Sequence, residues 1–212
     1  HVKNGPKGRN NMEQSTEYKS TIKSKTFFYK ESKKTASLII QGFNNVEIKN
    51  KSITENIFQV NTENRRKEIA STVLKRLNVL DDYMLQKIVE GSMETSKILV
   101  LISIMKTDRL FFEFMSEVFR EKIILKDFYL NDADFNIYFE RKKEQSERVR
   151  SWDEYTFYKL KQVYSRILFE VGLIKNKNGS REILRPIIEK ELEDHLSKTG
   201  DEIYLMVLLG EM

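Results

Sequence analysis

The chain of 212 residues contains no cysteine, so it has no disulfide framework, no thiolate zinc site and no cysteine nucleophile. That absence fits a reducing compartment. Two prolines and eight glycines are few for this length and favour long helices over a sandwich of short strands. Histidine is nearly absent too. His1 lies in a polar tail and His195 in an acidic helix, so a Ser-His-Asp triad or a histidine metal site would have to use His195, which has no neighbours at ligand spacing. No GxxxxGKS/T or GxGxxG loop occurs. The carboxylate pairs Asp81-Asp82 and Asp132-x-Asp134 fall where helices begin and read as caps. No catalytic residue, metal ligand or cofactor is therefore expected, and the chain is read as non-enzymatic. Long apolar runs are missing as well. The longest, Ile98 to Met105, is broken by Ser103, bounded by Lys97 and Lys106, and far short of the roughly 20 residues that span a bilayer. With no leader-like apolar stretch after the basic N-terminus, the expectation is a cytoplasmic protein with no membrane association.

Charge is present in quantity and unevenly placed. Residues 1–34 carry nine Lys/Arg against three Glu, and residues 141–186 carry twelve against six acids. The last segment, 187–212, reverses this with two Lys and seven acids. Two basic regions of this kind suit a polyanion such as nucleic acid, because phosphate neutralisation supplies much of its affinity. A merely solvated basic surface has the same composition.

Apolar periodicity divides the chain into helices. Residues 1–20 are polar and aperiodic and read as a tail, with Met12 one candidate for the native start. Helices are expected from Tyr29 to Gly42, from Val46 to Phe58, after Asn61-Thr62, and from Asp81 or Asp82 as far as Gly91. Met93 to Met105 is apolar on most sides, which marks a central buried helix. Asp108 caps a helix from Leu110 to about Ile124 that is dense in phenylalanine, and Asn131 or Asp132 caps one running towards Lys143. Arg141 to Arg150 reads as a charged link. Pro186 suits the first turn of a helix Ile187–Leu196, and Ile203–Leu209 forms a short apolar end.

The most informative stretch is Ser151–Pro186. Ser151 and Glu154 have capping-box spacing. Phe157, Leu160, Tyr164, Ile167, Leu168 and Val171 make one apolar face, while Thr156, Lys159, Gln162 and Arg166 lie opposite. Gly172 suits a left-handed helix end. Leu173-Ile174 and Ile183-Leu184 then flank a basic turn containing Asn178-Gly179, a tight-turn pair. A helix followed at once by a basic hairpin outlines a winged helix, a unit that reads DNA in some proteins and docks partners in others.

One family resemblance runs along the whole chain. Glu31, Ala36, Leu38, Gly42, Asn56, Arg66, Arg76-Leu77 and Gly91 stand in order, followed by Phe112, Phe114, Phe135, Phe139 and Ser151-Trp152. Lys159-Leu160-x-Gln162 and Ile167-Leu168-x-Glu170-x-Gly172-Leu173 complete the set. Over roughly residues 18 to 196 the sequence resembles the BrxA family of the BREX bacteriophage-defence systems. The resemblance implies an all-α protein in two helical parts, non-enzymatic, that binds double-stranded DNA beside other BREX components. BrxA-like folds are also similar to a helical RNA-binding antitermination factor, which keeps RNA open as a ligand. The family has carried an inner-membrane label, which the hydropathy does not support. The basic wing and acidic C-terminus are not family-defining, so nucleic-acid residues there are read from the side chains alone.

These readings combine into an all-α fold whose C-terminal part is a winged-helix-like unit with a short β-hairpin. Residues 1–28 form a flexible basic arm, 29–125 an N-terminal helical domain and 126–212 the winged-helix-like domain with acidic terminal helices. Lys159, Gln162 and Arg166 face nucleic acid; Lys175, Lys177 and Arg181 meet phosphates from the wing; Lys19, Lys23 and Lys25 add contacts from the arm. Trp152 is assigned to packing beside the cap. The rival reading is a docking scaffold that presents Ile203–Leu209 to a partner.

Overall fold

Short polar side chains open most of the helices in the structure, a computed structural model that describes residues 17–211. After a 3-10 turn at Thr21–Ser24, α1 (Tyr29–Ile40) is followed by Gly42 at φ +93°. Asn44 accepts from Val46 and Glu47 N–H while Glu47 accepts from Asn44 N–H, a reciprocal box that starts α2 (Asn45–Thr54). Thr62 caps α3 (Glu63–Leu77), Asp81 caps α4 (Asp82–Glu90) and Ser92 caps α5 (Met93–Thr107). Asp108 accepts from Phe111 N–H at 2.9 Å to start α6 (Arg109–Phe114), which continues through a π-helical turn, Met115–Phe119, into α7 (Arg120–Ile124). One inserted residue there rotates the later face of the helix relative to the earlier one.

The second half comprises β1 (Tyr129–Leu130), α8 (Asp132–Gln145), α9 (Glu147–Arg150), α10 (Glu154–Val171), β2 (Arg181–Glu182), α11 (Lys190–Thr199) and α12 (Glu202–Leu209). As its all-round apolarity predicts, α5 is the central helix, buried from Ile98 to Met105 and in contact with α1, α3, α4, α6 and α10. Aromatic contacts cross the expected boundary at 125/126: Phe114 stacks on Phe135 at 4.8 Å, and Tyr164 of α10 meets Phe111 edge-on at 4.9 Å. One continuous cluster of buried side chains runs from Tyr18 to Leu208.

Five expectations need correction. Asp153, not Ser151, caps α10, accepting from Thr156 N–H at 2.7 Å; Ser151 instead ends α9, where its N–H bonds the Glu147 carbonyl. The charged link of residues 141–150 is almost wholly helical, and Lys142 within it is buried. Residues 187–189 lie outside any helix, so Pro186 precedes α11 without occupying its first turn. The arm expected at 1–28 falls partly outside the described residues, and from Glu17 onward it is packed, with Tyr18, Ile22, Phe27 and Phe28 buried. Finally, Ile203–Leu209 is no free docking segment: Tyr204, Leu205, Val207 and Leu208 are buried, and α12 packs on α7 and the π turn.

Around the expected basic turn the two arms meet at a single bridge and not as paired strands, and a third piece of chain joins them. Leu184 N–H bonds the Leu173 carbonyl and Lys175 N–H the Glu182 carbonyl, both at 2.9 Å, with Ile174 opposite Ile183. The outer edge then pairs with β1 in antiparallel register, Tyr129 against Glu182 and Leu130 against Arg181. Gly179 at φ +70° takes the turn position that a side chain would strain.

Candidate nucleic-acid interface

α10 has two distinct faces. Phe157, Leu160, Val163, Tyr164, Ile167, Leu168 and Val171 are buried, which leaves Tyr155, Tyr158, Lys159, Gln162, Arg166 and Phe169 along the outer side at steps of three and four. Tyr155 is 60% exposed, Tyr158 50% and Phe169 40%, high values for large aromatics. The two tyrosine rings lie 6.4 Å apart. The Lys159 ammonium sits 5.4 Å from the Tyr155 ring, and the Gln162 amide donates to the Tyr158 hydroxyl at 2.7 Å. At the far end Lys177, from the loop after the helix, lies 5.3 Å from the Phe169 ring. Cations and aromatic faces therefore alternate along one exposed stripe.

The charge of this stripe is only partly neutralised. Arg166 pairs with Glu170 at 2.7 Å, and Lys175 with Glu182 at 3.0 Å. Both pairs are solvent-exposed, and such pairs are weak enough to yield to phosphate. Among the described residues Lys159 and Lys177 make no ion pair, and aromatic rings are their neighbours.

Other expected contact residues are placed differently. Arg181 is buried; it bonds Asp132 at 2.9 Å and the carbonyls of Lys177 and Gly179 at 2.8 Å, and lies over the Phe135 ring. Its guanidinium closes the loop from inside and is withdrawn from solvent. The same Asp132 carboxylate accepts from Lys161 at 2.9 Å; that bond, with Arg181's help, holds its carboxyl below the usual range. α8, α10 and the loop are thus clipped together at one carboxylate.

Thr156, expected on the outer face, is buried and accepts from Lys23 at 2.9 Å. Lys23 therefore sits at the start of α10, whereas Lys25 faces α3 and pairs with Glu68 at 2.7 Å. Lys19 makes no ion pair among the described residues, and its charge is felt by Lys75 and Asp108 on that same side. The three lysines do not share one surface. Trp152 packs on Phe157 at 6.0 Å.

Tyr155, Tyr158 and Phe169 are contact candidates that sequence reasoning passed over. Their signal was the helical phase, since fixing the core positions of α10 places all three beside Lys159, Gln162 and Arg166. His195 bonds Asp81 at 2.7 Å and stacks on Tyr83. Among the described residues no group of three or more His, Cys, Asp or Glu is placed to hold a metal ion, and no helix is long and apolar enough to cross a membrane.

Comparison with known proteins follows the same boundaries. The family model BrxA matches residues 16–200. A Bacillus cereus protein described as "BREX protein BrxA" is 58% identical over 194 residues, covering 92% of this chain and 97% of its own. A crystal structure of an uncharacterized protein from Magnetospirillum magneticum superposes with a TM-score of 0.77 at 24% identity, covering 91% of this chain and 97% of that one, which speaks for the fold alone. On the extent of the family match and the identity to its curated relative, this chain belongs to the BrxA family.

Proposed function

We propose that the protein is a non-enzymatic, cytoplasmic DNA-binding component of a BREX-type bacteriophage-defence system, working with other BREX proteins. The system is inferred from the name of its relative. The DNA reading is carried by one observation: the outer face of α10 presents Tyr155, Tyr158, Lys159, Gln162, Arg166 and Phe169 together, with Lys177 beside them. Lys159, Arg166, Lys175 and Lys177 neutralise phosphates, Gln162 offers an amide to a base edge, and the rings pack on sugar or base. Arg181 acts indirectly, by holding the loop that carries Lys175 and Lys177 in the manner of a wing.

The test is anisotropy of a labelled duplex titrated with the protein between about 50 and 200 mM salt. Parent protein should lose affinity with a log–log slope of about 0.9 per phosphate engaged. A Lys159/Arg166/Lys175/Lys177 quadruple alanine variant that binds like the parent sinks the proposal. RNA of the same sequence, run in parallel, decides which nucleic acid is preferred.

A further inference from the structure

A cleft of about 230 Å³ lies between the N-terminal 3-10 turn, α3 and the junction of α5 with α6. Thr21, Lys25, Ser71, Lys75, Arg76 and Asp108 are among its lining residues. The volume is below the range typical of drug-sized ligands and suits a small polar one. Arg76 is buried and has no ion pair among the described residues; one nitrogen donates to the Thr26 and Phe27 carbonyls at 2.8 and 3.1 Å. The Lys75 ammonium bonds the Thr107 carbonyl at 3.3 Å. Lys25 is balanced by Glu68, but among the described residues Arg76, Lys75 and nearby Lys19 share Asp108 as counter-charge. Asp108 uses Oδ1 to cap α6, and its Oδ2 takes no hydrogen bond from the described residues. Thus the cleft combines surplus positive charge, hydroxyl donors and one unpaired carboxylate oxygen.

A bare oxyanion would meet that carboxylate with repulsion, whereas an oxyanion carrying a hydroxyl can donate to it. We propose that this cleft binds phosphate as hydrogen phosphate or the singly ionised form of a phosphate monoester, its oxygens taken by Lys75, Arg76 and the Thr21 and Ser71 hydroxyls and its P–OH donating to Asp108. Sulfate and the phosphodiesters of a nucleic-acid backbone carry no such proton and are disfavoured. The surroundings are poorly hydrated: burial pushes Asp108 up to about 6 and lowers Arg76, and partial desolvation lowers Lys75.

Isothermal titration of the full chain with inorganic phosphate and with sulfate, at matched ionic strength near pH 7, tests the proposal. Phosphate should bind about tenfold tighter than sulfate. Lys75→Met, at an exposed position that leaves the fold intact, should remove phosphate binding. Asp108→Asn, which retains the cap, should bring sulfate and phosphate together. Equal binding of the two anions by the parent, or phosphate binding undiminished in Lys75→Met, overturns it. A duplex with 5′-phosphate ends against the same duplex with 5′-hydroxyl ends then separates sources. Tighter binding of the phosphorylated duplex points to a strand end, and equal binding points to a small phosphate compound. The α10 quadruple variant should keep its phosphate affinity, so this site and the DNA surface fail or stand separately.

Discussion

The ammonium of Lys142, on α8, lies 2.6 Å from the carboxylate of Glu113, on α6, and its side chain is only 2% exposed. A second carboxylate, Glu117, is also at 2.6 Å, and the Tyr138 ring lies beneath. Glu113 in turn accepts from Arg109 at 2.7 Å and from Tyr18 at 2.8 Å. Burial and the bond to Glu113 push the Tyr18 hydroxyl up to about 12, while Glu113, although partly buried, is held low by Lys142, Arg109 and Tyr18. One charged knot thus fastens the N-terminal segment, the π-bulged helix and α8.

Lys142→Met should therefore cost about 2 to 4 kcal/mol, below the extreme for a broken buried pair because Arg109 still serves Glu113. Urea unfolding followed by circular dichroism checks it. A cost under about 0.5 kcal/mol, the level of an ordinary surface change, is the contrary result.

Asp108 gives a pH dependence of definite sign. Its folded pKa, about 6, lies above its ordinary value of 3.8, so the folded state holds the proton more tightly. The stabilisation is full below about pH 4 and is lost as pH rises through about 6. Two units correspond to about 3 kcal/mol. Asp108→Asn should match the parent near pH 4 and exceed its stability near pH 8, in buffer free of phosphate. Parallel stability curves for the two proteins would refute the assignment.

How far this was legible beforehand differs by residue. Thr62 and Asp108 mark their helices because a short polar side chain before an apolar period has few other uses, whereas Asp81 and Asn131 each share the signal with the Asp that follows, and the structure selects the first of each pair. Ser151 misled because Asp153, two residues on, is an equal capper; α9, ending at Arg150, carries the chain past Ser151 before the next helix starts. Lys142 looked solvated because nothing local records that Glu113 and Glu117 stand opposite it. β1 is too short, at two residues, to show alternation. Ile203–Leu209 was apolar on every side, a pattern that fits a buried helix as well as a sticky one.

Aromatic and cationic residues on α10 should separate in their salt response. Tyr155→Ala and Tyr158→Ala should each weaken nucleic-acid binding by about 1 kcal/mol or more with an unchanged salt slope. Lys159→Ala should reduce the slope by about 0.9. All three side chains project from the surface, so melting temperatures should hold. Tyrosine variants that bind like the parent would reduce the stripe to its charges.

Arg181→Met should cost about 2 to 4 kcal/mol, since it leaves two loop carbonyls and Asp132 without their buried partner. Its effect on DNA should come through loosening of residues 175–180. Amide exchange faster there than in α10 is the expected signature, and uniform exchange across both argues against it.

Gly210 closes α12 at φ +71°, and a Cβ placed there would stand 2.4 Å from the Ile123 side chain. Gly210→Ala should lower stability by about 1 to 3 kcal/mol through left-handed strain and collision together. A melting temperature equal to the parent's would mean that α12 shifts freely.

The bond from Lys23 to Thr156 spans 133 residues, and that from Tyr18 to Glu113 spans 95. During synthesis the N-terminal segment leaves the ribosome long before the helix it rests on exists. At about 5 to 20 residues per second the wait for Thr156 is about 7 to 27 seconds. Throughout that interval Ile22, Phe27 and Phe28 have no complete core to enter. Those side chains are buried only once α10 has arrived, so the segment that is made early is among the last to be packed.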